Sequence, residues 1–349
     1  MADQLGIGIV GTGHIANSHM RSLAQYAPAR VVAVYDVLGD RAQAFASQWH
    51  IPNVAESLDD LLKRGDVDAV IVSTPPFAHM EPTIAALEAG KHVLCEKPFA
   101  LDPNEAERMT QTAERAGKYL AVCSARRRCG AAMRRAHELA SSGQLGEVYH
   151  VRDTQLRVRG RPGIDILRDT PWFLDSRRAG GGALIDIGVY EIDAMLWVLG
   201  NPRVKTVLCA TKMGIGEPAP APLTQDVEDH AVVMFTCDNG ASGVLEIAWS
   251  SNISGANTFL VFGTTAGLRF GPLTYIRPGT LNPRQAVEER VLSVEDGSTQ
   301  GFGDVTQQFV DAVLAGRQPY TPARDALEVT RVMHAAYESA RTGQAVQLS

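Results

Sequence analysis

Three groups of residues in this chain have the types and spacing to do chemistry. The first is a glycine-rich turn, Gly11-Thr12-Gly13-His14-Ile15-Ala16. Gly11 permits a tight bend, Gly13 lets the backbone approach a pyrophosphate, and Ala16 is small enough for close helix–strand packing. A helix opened by such a turn aims its unpaired N–H groups at an anion. The second group is Glu96-Lys97-Pro98, which sets one lysine beside a carboxylate after an apolar run. A lysine in a partly desolvated cleft can hydrogen-bond a substrate hydroxyl and stabilise the alkoxide that develops there. An exposed strand-end lysine paired with Glu96 would read the same way. The third group is Asp186, Tyr190 and Asp193, spaced i, i+4, i+7 on a predicted helix over 183–199. That spacing puts them on one face. Leu184, Ile185, Ile187, Val189, Met195, Leu196 and Val198 fill the others, so the ionisable groups need partners or a polar cleft. A helix with one solvent-facing polar stripe is the alternative.

The elements that must position these groups follow from the hydrophobic pattern. Apolar runs at 7–10, 31–35, 69–72, 92–95 and 119–122 alternate with helical stretches. Near-continuous apolar strands separated by helices indicate a doubly wound parallel sheet covered on both faces. The glycine turn then links the first strand to the first helix, the context in which such a turn binds a dinucleotide. Asp36 ends the second strand, about 20 residues on, where a carboxylate can accept both ribose hydroxyls of NAD and repel the 2′-phosphate of NADP. Arg41 could offset that repulsion or simply lie on a surface helix. Thr74, Pro75 and His79 follow the third strand and Glu96-Lys97 the fourth, at the carboxyl edge where ligands sit in open α/β sheets.

After about residue 125 the pattern changes. One helix is predicted over 130–142 and the apolar one over 183–199. Most of the rest reads as strands, with Asp238-Asn239-Gly240 marking a hairpin between two of them. The expected organisation is a Rossmann domain over 1–124 and an α+β domain over 125–349 with a large, mainly antiparallel open sheet. Helices return from about 304 to 341, and 217–222 reads as a stiff, proline-rich exposed loop.

In these motifs the chain resembles the Gfo/Idh/MocA family of sugar and polyol oxidoreductases. The resemblance runs from the amino-terminal turn through T-P-x-x-x-H, E-K-P, Gly180-Gly181-Gly182 and D-x-G-x-Y to the helical tail, and E-K-P is its most specific mark. It implies a Rossmann domain followed by a sheet domain that binds substrate and makes oligomer contacts. Cofactor contacts are expected from Gly11, Gly13, His14 and Ile15 in the turn, from Asp36, and from Thr74, Pro75, His79, Glu96 and Lys97 at the sheet edge. The resemblance also implies a cis Lys97-Pro98 bond and a catalytic role for Lys97. The family often carries His where this chain has Tyr190, and the D-I-G-x-Y form matches the branch that includes glucose–fructose oxidoreductase and dimeric dihydrodiol dehydrogenases. A free tyrosine has a pKa near ~10, so Tyr190 needs Lys97 or another cation nearby to act as a base at neutral pH. Trp172 and Phe173 are implied to lie near the nicotinamide or sugar, and a core tryptophan is an equal reading. Arg126 is a candidate substrate contact. Arg157, Arg159, Arg161 and Arg168 read either as a pocket lining or as a solvated basic strand.

The expected activity is NAD-dependent (NADP possible) dehydrogenation or reduction of a sugar, polyol or related cyclic alcohol. Tyr190 with Lys97 would take the hydroxyl proton, and Asp186 would orient the substrate and hold Lys97. A trans-dihydrodiol dehydrogenase, an NAD-dependent glycoside-cleaving enzyme and a non-catalytic dinucleotide or sugar sensor share the same motifs. With 349 residues the chain can form two cored domains. A net charge of −6 argues against nucleic acid or an anionic membrane as the main partner. Arg126-Arg127-Arg128 is the one compact basic run, read as a solvated turn or a phosphate contact. The five cysteines are scattered and unpaired in spacing, which suggests free thiols in a reducing, cytoplasmic compartment. No metal-ligand spacing, secretory leader or membrane span is visible. A homo-oligomer, dimer or tetramer, is expected.

Overall fold

The computed structural model describes residues 4–279, 287–294 and 304–348. Residues 1–3, the expected run-in to the first strand, lie outside that set. The chain forms two compact units, 1–125 with 304–330 and 126–303 with 331–349.

The first unit is built on a five-stranded sheet in the order β2-β1-β3-β4-β5, with every pairing parallel. Its strands are β1 (Leu5–Val10), β2 (Ala29–Tyr35), β3 (Ala69–Val72), β4 (His92–Cys95) and β5 (Leu120–Val122). β1, β3 and β5 are buried at every residue, as expected of strands covered on both faces. Helices His14–Leu23, Gly39–Trp49, Met80–Glu88 and Pro103–Ala116 connect them. The last shows how locally the chain specifies its ends: the Asp102 side chain accepts from Asn104 N–H, Pro103 opens the first turn, and Gly117 closes it at φ 63°. The stretch 304–330 packs with this unit although it follows the second sheet in sequence. Helix Val305–Leu314 is capped by Asp304 and buries Val305, Phe309 and Val310, while Ala326 and Leu327 join the core around Val70, Val93 and Met109.

The second unit holds a nine-stranded sheet in the order β13-β12-β11-β10-β6-β9-β8-β7-β14. The strands are β6 (Val148–Leu156), β7 (Val204–Lys212), β8 (His230–Cys237), β9 (Ser242–Ala248), β10 (Thr258–Gly263), β11 (Gly267–Arg269), β12 (Thr274–Pro278), β13 (Val287–Val291) and β14 (Val346–Gln347). All pairings are antiparallel except β6 with β9. The β8–β9 hairpin turns at Asp238-Asn239-Gly240, with Gly240 at φ 85°. Period-two burial gives the sheet one covered face. Val207, Cys209, Val233, Phe235, Leu245, Ile247, Phe259 and Val261 are buried on that face. The other face exposes Leu208 and Met234, each 47% accessible. The proline-rich loop at 217–222 is largely exposed.

Candidate functional site

In the first unit the glycine turn leaves β1 and enters the helix at Gly13, whose N-cap position carries no side-chain cap. Gly11 sits at φ 88°, and a Cβ there would stand 2.8 Å from Thr74 N and 2.9 Å from Ser73 C. Glycine is therefore required for β1 and β3 to end side by side. Gly13 is different: a Cβ there would meet nothing within 4 Å. The turn thus offers an open, side-chain-free cradle in front of uncapped helix N–H groups. His14 is exposed and Ile15 half-buried at the same helix start.

Asp36 closes this turn from β2. Its Oδ2 accepts Thr12 N–H at 2.8 Å and the Thr12 hydroxyl at 3.0 Å, and its Oδ1 accepts Leu38 N–H at 2.9 Å. A carboxylate has about four acceptor positions, so one is left for a ribose hydroxyl. Arg41 reaches to 3.8 Å from Asp36 while staying about half exposed. His79 is buried, with Nδ1 2.9 Å from the Pro98 carbonyl and Nε2 2.9 Å from the Thr74 carbonyl. Burial pushes its pKa down. The ring fills the space between the end of β3 and the Glu96-Lys97-Pro98 segment, and in its neutral form its single N–H can donate to only one of the Thr74 and Pro98 carbonyls. Thr74 and Pro75 are partly exposed beside it. Lys97 is half-buried after β4, the Lys97-Pro98 peptide is cis, and Lys97 N–H donates to Glu96 Oε2 at 3.0 Å.

In the second unit the predicted single helix over 183–199 is two structures. Leu184–Gly188 is a π-helical turn, and the α-helix proper runs Val189–Val198. Glu228 holds the start. Its carboxylate accepts Gly182 N–H and Leu184 N–H at 2.9 Å each and the Tyr337 hydroxyl at 3.0 Å. Burial raises the pKa of both Glu228 and Tyr337. The glycine run is a steric requirement of this contact. A Cβ on Gly182 would lie 1.9 Å from Glu228 O, and one on Gly181 2.0 Å from Tyr337 Oη. Asp186, on the π turn, accepts the indole N–H of Trp249 at 2.9 Å. Trp249 is fully buried with Val227 and Ala183, and Phe173 and Ile187 pack on that cluster. Trp172 stacks on Phe173 with ring centroids 4.0 Å apart. The aromatic pair therefore adjoins the residues that hold Asp186.

The three arginines at 126–128 correct the sequence reading. They do not form a solvated turn: Arg127 and Arg128 are buried, and each of the three engages the Tyr190 helix. The Arg126 guanidinium lies 5.9 Å from the Tyr190 ring centroid. Arg127 pairs with Glu191, and with Asp153 at 3.2 Å. Arg128 grips Asp193 with two bonds, Nε to Oδ2 at 2.7 Å and Nη2 to Oδ1 at 2.9 Å. All but Arg126 are buried. Burial pushes Asp153 up to about 6 against the pull of the Arg127 charge. Asp193 thus leaves the polar stripe assigned to it. The π turn changes the angular step between Asp186 and Tyr190, and Asp193 faces an internal cation. Arg161 is likewise no part of a solvated strand. It is buried, lies beyond β6, pairs with Asp165 and donates to Glu217 O at 2.6 Å.

Residues 5–124 match the family described as "Oxidoreductase family, NAD-binding Rossmann fold", and residues 133–269 match the Gfo/Idh/MocA C-terminal domain. The chain is 30% identical to the D-glucoside 3-dehydrogenase of Escherichia coli (strain K12), over 99% of this chain and 97% of that protein. This chain belongs to the Gfo/Idh/MocA oxidoreductase family. It is 27% identical to the 1,5-anhydro-D-fructose reductase of Ensifer adhaerens, over 98% of each chain. Among solved structures it is similar to GenD2 from gentamicin A biosynthesis in complex with NAD. The TM-score is 0.79 and the identity 28%, covering 100% of this chain and 97% of that one. As a Gfo/Idh/MocA member it is an oxidoreductase with an NAD-binding Rossmann domain, and the open cradle at Gly13, the uncapped helix start and the remaining acceptor position on Asp36 fit that cofactor. Bound NAD supplies a hydride acceptor at its nicotinamide.

Glu228, Tyr337 and Trp249 were not legible as site residues in this Gfo/Idh/MocA sequence. The only trace is an acidic pair, Glu228-Asp229, directly before an apolar strand. Its partners lie 44 and 109 residues away in the chain, beyond the reach of any local pattern. All five cysteines are free and buried. Among the described residues no helix is long and apolar enough to cross a membrane.

Proposed function

We propose that this chain transfers a hydride between NAD and a hydroxyl-bearing carbon of a sugar or related cyclic polyol. The observation that carries the reading is the full-length similarity to relatives named for a D-glucoside and for an anhydro-sugar. Lys97, Asp186 and Tyr190 serve the proton transfer. Tyr190 and Lys97 take the proton from the substrate hydroxyl oxygen, and Asp186, oriented by the Trp249 indole, fixes the substrate. Arg126 sets a cation over the Tyr190 ring, beside the phenol that carries the proton. Trp172 offers an aromatic face to the sugar. A panel of cyclic sugars, glucosides and inositols, read at the NADH absorbance band with both cofactors, tests the reading. Turnover with at least one of them is expected, and no reduction of either cofactor by any of them sinks it.

NAD is the preferred cofactor, because the buried Asp36 carboxylate would face a 2′-phosphate. The ratio of kcat/KM for NAD to that for NADP is expected to exceed roughly tenfold, a difference of about 1.4 kcal/mol. Arg41→Ala should widen it. Asp36→Ser, which keeps one acceptor for Thr12 N–H, should narrow it. A wild-type preference for NADP would show that Arg41 outweighs Asp36.

The exposed face of the second sheet supports self-association. Leu208 on β7 pairs with Met234 on β8, and Met234 with Val244 on β9, so an apolar row crosses three strands. Such a row on a solvent face marks an interaction surface, and a second copy of the chain is the simplest partner. Light scattering at micromolar concentration is expected to give a dimer or tetramer mass, with Met234→Glu lowering it. A single-subunit mass for the parent protein would count against the interface. The five free thiols support a reducing, cytoplasmic setting.

A further inference from the structure

We propose that His19 is a positioning residue for Lys97, acting through Glu96; the inference rests on the role given to Lys97 above. His19 lies on the helix opened by the glycine turn, and its Nε2 stands 3.1 Å from Glu96 Oε1. Glu96 Oε2 accepts the Lys97 N–H at 3.0 Å. On the other side of the ring, Nδ1 stands 2.8 Å from the Thr306 hydroxyl. His19, Glu96 and Thr306 are 2%, 3% and 3% accessible, so water does not compete for these bonds.

The chemistry of the partners orders the relay. An ionised carboxylate only accepts, so Nε2–H donates to Glu96. In the neutral ring Nδ1 then accepts from the Thr306 hydroxyl. Thr306 is itself placed by its N–H bond to the capping Asp304. With one oxygen on His19 and the other on the Lys97 backbone, the Glu96 carboxylate cannot turn without losing a buried bond. The point from which the Lys97 side chain springs is thereby tied to the helix that starts at Gly13. Cys123 completes a His–Glu–Cys group whose donor atoms lie within 4.8 Å of one another. Because both His19 ring nitrogens are already in hydrogen bonds, the geometry is that of a relay and not of a cation site. A displaced lysine costs rate and not cofactor affinity, since small misplacements of a reacting group weaken the transition state first.

Two substitutions separate this role from mere packing. Glutamine can bring an amide N–H to the position of Nε2, whereas asparagine reaches only the Nδ1 side, toward Thr306. His19→Asn is expected to lower kcat by roughly 10²-fold with NAD affinity and substrate KM nearly unchanged. His19→Gln is expected to recover most of that loss at a similar thermal midpoint. A wild-type kcat in His19→Asn, or equal losses in both variants, overturns the proposal. Should His19→Asn not fold, Thr306→Val touches only the far end of the relay and is expected to lower kcat by roughly tenfold. An unchanged kcat in that variant overturns the proposal equally. In a Lys97→Ala background the His19→Asn change should add little further loss, and a full additional loss there means His19 acts elsewhere. If Lys97→Ala itself turns over normally, it is the role of Lys97 that has failed.

Discussion

Replacing Lys97 with alanine is expected to lower kcat by roughly 10²–10⁴-fold while NAD still binds, because a positioned proton-transfer group contributes about that much. Tyr190→Phe removes the phenolic proton carrier and is expected to lower kcat as well. The double variant should fall little below the worse single one, since residues that act as a unit are not additive. Cofactor binding followed by fluorescence separates lost chemistry from lost folding. Full activity and an unchanged pH profile in Tyr190→Phe would remove tyrosine from the proton transfer and leave it as the ring under Arg126.

Asp193→Ala is expected to cost about 3–5 kcal/mol of folding stability, because it strips the carboxylate from a buried guanidinium. Arg128 is 1% accessible and grips both oxygens of Asp193. The effect belongs to folding: denaturant unfolding should shift strongly, and the protein that remains folded should keep its cofactor affinity. Replacing both partners with apolar residues, Arg128→Met with Asp193→Leu, should recover much of the loss, as apolar replacements of buried pairs often do. A loss below about 1 kcal/mol in Asp193→Ala would put the pair in the class of solvent-screened surface bridges and contradict its burial.

These two predictions treat Tyr190 and Asp193 differently although the sequence spacing treats them alike. Local pattern sufficed wherever the determining contacts are local or periodic. The apolar runs dictated a parallel sheet covered on both faces, Gly11 the bend at φ 88°, and Asn239-Gly240 the hairpin. The same local reach singled out the glycine turn and Asp36 by order and spacing, whereas Glu96-Lys97-Pro98 drew its weight from the family resemblance. Partner choice across the fold was not readable in that way. Whether Arg127 and Arg128 face water or a buried carboxylate depends on a helix 64 and 65 residues downstream. The π turn at Leu184–Gly188 arises where Glu228 and Tyr337 seize the helix start, and it shifts the phase that an ideal α-helix would keep. The His19–Glu96 bond joins residues 77 apart. A sequence states which groups must be satisfied once buried; only the closed tertiary structure decides which group satisfies which, because that choice is made by distance in space and by exclusion of water.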